Sequence, residues 1–210
     1  DRGVPSVPVA GGPDRPLEGF EETFFGSAEG NETTLQAHIL RARAERTFND
    51  RLRGNLTVQY ADYDKAYANI YAAGFDPASN PARLTLDGYA DDTTRENFIA
   101  QANLIGEFDT GPIAHTVLFG AEYGDQSTTN ARIDNTFAAS NDDQIVIDFT
   151  DPVQVPAFAF NDVIRDRESE VQFTSFYVQD QINLTDQLKL VAGLRYDRFD
   201  VEVLDLQAIS

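Results

Sequence analysis

The sequence predicts an all-β fold: an antiparallel transmembrane β-barrel fragment of about six strands, with short periplasmic turns and long extracellular loops. Three observations predict it. Apolar and polar residues alternate at period two through six segments, 31–48, 51–68, 93–108, 115–129, 168–184 and 187–203. The connections between these segments run short, long, short, long, short. Aromatic residues flank the apolar stripes, where the interfacial girdles of a membrane barrel fall.

Each element has its own signal. The first 30 residues are rich in Gly and Pro and predict the tail of an external loop. In 38–48, Leu40, Ala42, Ala44 and Phe48 oppose Arg41, Arg43 and Glu45. Arg46 falls on the apolar side near the strand end, where its stem can lie along lipid while the guanidinium reaches the headgroups. The F-N-D-R turn (48–51) leads into Leu52, Gly54, Leu56, Val58 and Tyr60, facing Arg51, Arg53, Asn55, Thr57 and Gln59. A long loop is expected over 69–92.

The next strand carries Phe98, Ala100, Ala102, Leu104, Gly106 and Phe108 on one side. Arg95, Asn97, Gln101, Asn103 and Glu107 lie on the other, with Ile99 and Ile105 as apolar exceptions. D-T-G-P-I-A-H (109–115) reads as a tight turn before Val117, Phe119, Ala121 and Tyr123. A second long loop is expected over 130–167. Phe176, Val178, Ile182 and Leu184 then oppose Gln179, Gln181 and Asn183, and Asp180 interrupts the apolar side. L-T-D-Q (184–187) turns into Leu188, Leu190, Ala192, Leu194 and Tyr196.

Composition narrows the class. The chain has 210 residues, no Cys and no Met, and a net charge of -19 from 35 acidic and 16 basic residues. Disulfides, thiolate metal sites and a Cys nucleophile are excluded. Nucleic acid is not an expected partner, because it demands the opposite charge. No apolar run is long enough for a transmembrane helix. A spanning strand is apolar only at alternate positions, so the low mean hydropathy suits a barrel wall. Six strands are too few to close such a barrel, since the smallest have about 8. The reading is therefore of an excerpt, residues 1–210, expected to aggregate alone because two strand edges stay unpaired.

Several segments resemble the TonB-dependent outer-membrane siderophore receptors. H-I-L-R-A-R-A-E-R-T-F-N-D-R (38–51) and the aromatic-rich strand after it look like a barrel hairpin of that family. So does F-D-T-G-P-I-A-H-T-V-L-F-G-A-E-Y-G (108–124), with its D-T-G-P turn and H-T-x-L-x-G strand. Residues 175–200 carry Y-x-Q-D-Q, L-T-D and G-L-R-Y-D, elements that recur in the family's barrels. The opening D-R-G-V-P-S and T-F-F-G (23–26) are similar to the catecholate-type subgroup. The resemblance implies a bacterial outer-membrane location and a larger barrel occluded by an N-terminal plug. It further implies uptake of a ferric siderophore, coupling through TonB by an N-terminal region absent from this chain, and contact with outer-membrane lipid and lipopolysaccharide. It implies no covalent cofactor and no enzymatic activity. A passive porin and a soluble β-sandwich binding module are the alternatives.

Candidate ligand residues lie in the two expected loops. Tyr67, Tyr71, Phe75 and Tyr89, with Tyr63 beside them, supply aromatic faces for catechol rings. Arg83 and Arg132, with Arg95, Arg165 and Arg167, supply charge-assisted donors for an anionic ferric complex; pairing with nearby carboxylates competes for them. Asn141, Asp142, Asp143, Asp148 and Asp151 offer oxygen ligands without EF-hand spacing, so a solvated acidic loop competes with a cation site. His38 and His115 stand far apart, with no partner set for a metal or a catalytic base.

Overall fold

Period-two alternation is the pattern of strands with two different faces, and here the six alternating segments join into one antiparallel sheet. The computed structural model describes residues 4–7, 12–185 and 187–207. The first three residues of the D-R-G-V-P-S motif and Asp186 of the L-T-D-Q turn lie outside them. In chain order the elements are β1 (Ser6–Val7), β2 (Arg15–Pro16), β3 (Glu32–Asn49), β4 (Leu52–Asp76), β5 (Arg83–Thr110), β6 (Ile113–Phe137), β7 (Ile145–Asp148), β8 (Phe158–Asn183) and β9 (Lys189–Asp205). The long strands pair in the order β3-β4-β5-β6-β8-β9, each antiparallel to its neighbour, and β7 pairs with the outer end of β5. The sheet is not closed. β1 and β2 form a separate two-stranded ribbon.

The turns expected on one side are tight. β5 and β6 are joined by Gly111 and Pro112 alone, so that turn is shorter than 109–115 suggested. Gly111 has φ of +65°, a left-handed conformation that favours glycine.

The long loops are the main correction. Most of 69–92 and 130–167 is strand. β4 runs on to Asp76 and β5 begins at Arg83, leaving 77–82 as the connection. β6 reaches Phe137 and β8 starts at Phe158, with β7 inside the 138–157 connection. Strands of 25 to 28 residues result, against the 9–11 that span a bilayer. The backbone ladder continues outward after the apolar stripe ends, which is why hydrophobic periodicity lost it. The Leu84/Leu86 alternation was the signal that could have found it.

This extension has its own core. Phe25, Ile70, Phe75, Leu84, Leu86 and Phe137 are buried together. Residues from the N-terminal segment and from 138–157 cover them, chiefly Phe20, Ile145, Ile147 and Phe149. The Phe20 ring meets Phe149 edge-on at 5.2 Å, and Phe149 meets Phe75 edge-on at 5.3 Å. Asn31 ties the N-terminal segment to the sheet. Its Oδ1 accepts from Ile70 N–H at 2.8 Å and its Nδ2 donates to Ile70 C=O at 2.9 Å. One side-chain amide thereby imitates the next residue pair of the β3–β4 ladder.

The lower part of the sheet has an apolar and a polar face. Cross-strand partners share a face, so the register fixes the apolar one: Leu56↔Ala102↔Ala121↔Phe176↔Tyr196. Its large side chains are bare; Leu194 is 76% exposed and Phe119 58%. Tyr60, Phe98 and Tyr123 bound this stripe above, and Phe48 and Phe108 bound it below. On the polar face Gly120 lies opposite Tyr177, whose ring covers it; a Cβ on Gly120 would come 2.0 Å from that ring. The Tyr177 hydroxyl donates to Asn103 Oδ1 at 2.7 Å and accepts from Gln101 Nε2 at 3.0 Å. Arg195 stands over the same ring and bonds Glu122, Asp197 and the buried Ser175.

Candidate functional site

Above the upper aromatic residues the two faces change from apolar against polar to negative against positive. The local sequences D-Y-D-K, D-D-T-T-R-E and R-D-R-E-S-E place opposite charges at alternate positions, and a strand sends alternate side chains to opposite faces. The register aligns them. Lys65, Arg95, Arg132, Arg165 and Arg167 share the polar face, while Asp62, Asp64, Asp92, Glu96, Asp166, Glu168, Glu170 and Glu202 share the other. Asp62 stands directly opposite Glu96, and Glu170 opposite Glu202. Like-charge pairs at that separation are unfavourable. In a chain of net charge -19, five basic side chains gather on one wall, with Asp91 and Asp205 among them as their partners.

The cations surround a tyrosine-lined cleft of about 340 Å³, bounded by Lys65, Tyr67, Tyr89, Asp91, Thr93, Asn130 and Arg165. Asp91 anchors it. Its Oδ2 accepts from Arg132 Nε at 3.0 Å and from an Arg132 terminal nitrogen, and its Oδ1 accepts from Arg165 at 2.7 Å. Arg132 lies on the Tyr89 ring, 4.1 Å from guanidinium carbon to centroid, a cation–π geometry. Tyr67 and Tyr71 pack on Tyr89 at 5.8 and 6.3 Å. The Asp91 hydrogen bonds hold the Arg132 guanidinium above its ordinary pKa, against the opposing effect of burial. A second cleft of about 480 Å³, lined by Leu35, Tyr63, Lys65, Thr93, Arg95 and Asn97, adjoins the first through Lys65 and Thr93.

Four of the six sequence-derived candidates, Tyr67, Tyr71, Tyr89 and Arg132, are thus brought together. Two are not. Phe75 is 7% exposed and packs against Phe20 and Phe149 in the core of the extension. Unbroken alternation would put it beside Tyr67 and Tyr71. A bulge between Ala72 and Gly74 shifts the register and turns it to the face of Leu84. Arg83 lies at the outer end of β5, where it pairs with Asp148 at 3.0 Å. Sequence reasoning missed Lys65 and Asp91, although the charge alternation around each was visible.

The acidic loop residues take separate partners. Asp148 holds Arg83, Asp151 accepts from Thr23 at 3.0 Å, and Asp143 lies beside Asp142. No group of three or more candidate metal ligands occurs among the described residues. On the polar face, at the outer end, Asp134 stands opposite Asp162. Burial, followed by repulsion from Asp87 and Asp162, raises the Asp134 pKa, and Arg132 opposes the rise.

An open antiparallel sheet, apolar and lipid-ready on one face, polar on the other, and prolonged far beyond one rim, is part of the wall of a membrane barrel. The sequence profile described as TonB dependent receptor-like, beta-barrel matches residues 5–209. The chain belongs to that family, one of outer-membrane transport receptors and not of enzymes; its polar face is the lumen side and its prolonged rim the extracellular one.

Among its relatives is the probable TonB-dependent siderophore receptor PiuA of Acinetobacter baumannii, 27% identical over 203 residues, which are 90% of this chain and 27% of PiuA. The ferrioxamine B receptor of Salmonella typhimurium is 26% identical over 188 residues, 89% of this chain and 25% of that receptor. The open form of the ferric-catecholate import receptor Fiu from E. coli K12 superposes with a TM-score of 0.72 at 19% identity, covering 86% of this chain and 28% of Fiu. The chain spans about a quarter of the length of these relatives.

Proposed function

We propose that residues 1–210 are one section of a larger outer-membrane receptor barrel that takes up a ferric siderophore, with transport energised through TonB. The plug and the remaining strands belong to other parts of the protein. The observation that carries this reading is the cationic, tyrosine-lined lumen wall around Lys65, Arg132 and Arg165. Asp91, at its centre, stands seven residues along β5 from the aromatic Phe98, about 23 Å along the strand beyond the membrane boundary at 3.3 Å per residue. A ligand arriving from outside meets it before the membrane level. Cationic donors and aromatic faces suit an anionic ferric catecholate better than a neutral chelate.

The apolar face is the surface for membrane lipid, and lipopolysaccharide is its partner in the outer leaflet. Leu104, Phe119, Phe176, Leu194 and Tyr196 enclose an open groove of about 610 Å³ on that face, which acyl chains would fill.

The test uses the full-length receptor in detergent and in cells. Binding of a ferric tris-catecholate, read by intrinsic fluorescence, should weaken about tenfold or more in Arg132→Gln/Arg165→Gln, the loss expected from removing charge-assisted bonds. Uptake of the same complex should stop without TonB. Uptake that persists without TonB, or affinity untouched by the double variant, would replace this reading with a passive channel.

A further inference from the structure

In the cleft just described, one carboxylate serves two guanidiniums, and the two are engaged unequally. Arg132 commits both Nε and a terminal nitrogen to Asp91 and rests on Tyr89. Arg165 reaches Asp91 through one terminal nitrogen only, and its Nε is buried without a partner. A guanidinium favours two parallel bonds to one planar anion, and Arg165 makes one. Lys65, which faces the same cleft, has no ion pair among the described residues. Asp91 itself is 17% exposed and lines the cleft wall.

We infer that Asp91 is an internal stand-in for the ligand's anionic oxygens and determines which ligands the receptor accepts. The inference rests on the proposed function. An incoming chelate must take Arg165 from Asp91. A complex with several negative oxygens can do so, because it meets Arg165 and Lys65 together and leaves Arg132 to neutralise Asp91. A neutral or cationic trihydroxamate complex offers weaker acceptors and cannot compete with a full carboxylate for a guanidinium. Asp91 thereby lowers affinity for every anion, and it excludes neutral and cationic complexes, which cannot take Arg165 from it.

The experiment compares the full-length receptor with Asp91→Asn, Asp91→Ser and Arg165→Gln, using a ferric tris-catecholate and a ferric trihydroxamate as probes. Removing the competing charge should tighten tris-catecholate binding about tenfold in both Asp91 variants. The salt dependence of that binding should steepen, since the wall gains one net positive charge. Asp91→Asn/Arg165→Gln should show no gain. Thermal melting of each variant in detergent reports whether the wall still folds, and agreement of Asn with Ser guards against one unstable replacement. If both folded Asp91 variants bind the tris-catecholate as weakly as Arg165→Gln, Asp91 only positions Arg165 and the inference is overturned. If the wild type binds neither complex, the proposed function fails and takes this inference with it.

Discussion

His115 Nδ1 and Asp180 Oδ2 lie 2.7 Å apart on the lipid-side face of the sheet, near its periplasmic end. Asp180 interrupts an apolar stripe, and His115 is what makes it tolerable. The Phe108 ring stacks on the imidazole at 4.9 Å, and Thr110 Oγ1 lies 2.8 Å from its second nitrogen. Removing one member leaves a polar group unpaired against lipid. His115→Leu should therefore destabilise the barrel by about 1–3 kcal/mol, below the range for fully buried pairs. His115→Leu/Asp180→Val should recover most of the loss. Urea unfolding in detergent micelles gives the cycle; a double variant weaker than the sum of both singles would contradict the pairing.

Gly120 makes a second case of one residue answering another. Tyr177 occupies the space that a β-carbon would need. Gly120→Ala should displace the ring, break its bonds to Gln101 and Asn103, and cost about 1–3 kcal/mol, as overpacking does. Tyr177→Phe should cost less, because the ring stays. Melting temperatures of the two variants decide the order, and equal losses would mean that the hydroxyl, not the close approach, matters.

Phe75 is a packing residue. Phe75→Ala should cost about 3–5 kcal/mol of local stability and speed proteolysis within 69–92, while Phe75→Leu should keep ligand affinity. A Leu variant that loses affinity but melts like wild type would return Phe75 to the binding wall.

The outer rim should respond to acid. The Asp134 pKa is raised by burial and by Asp87 and Asp162, and the Asp143 pKa is raised first by its hydrogen bond with Asp142. A carboxyl whose pKa is higher folded than unfolded makes the folded state the stronger proton binder. Its stabilisation is fully present below about pH 4, the unfolded value, and is lost as pH rises through the raised value. Hydrogen exchange over 130–146, corrected for intrinsic rates, should show protection falling as pH increases through that window. Asp134→Asn should flatten the dependence; protection that rises with pH would reverse the sign argued here.

The strands were legible where hydrophobic alternation marked them. Their lower ends match the structure within about two residues because turn chemistry fixes them: Asn49, Gly111 and the Leu184–Thr185 corner. The outer ends of β4, β5, β6 and β8 were not read, because just above the aromatic residues both faces are polar and only charge alternates, and the apolar alternation that resumes at Leu84 and Leu86 is short. Residues quoted from separate motifs meet in space: Gly120 of H-T-x-L-x-G under Tyr177 of Y-x-Q-D-Q, with Arg195 of G-L-R-Y-D above that ring. Their spacing could not show this, since sequence separation carries no register. The tyrosine and arginine types pointed to the cleft, whereas the bulge that removed Phe75 has no local signature beyond Gly74.

The R-D-R-E-S-E run of β8 also ties chain length to electrostatics. A strand that loses or gains one residue rotates every later side chain through half a turn. One deletion between Arg165 and Glu170 would exchange the two walls there, presenting carboxylates to the interior and arginines to the outside. A deletion of two residues would leave each charge on its own side and shorten the rim by about 7 Å. The wall can therefore grow or shrink only in steps of two without inverting the sign of the field that a ligand meets.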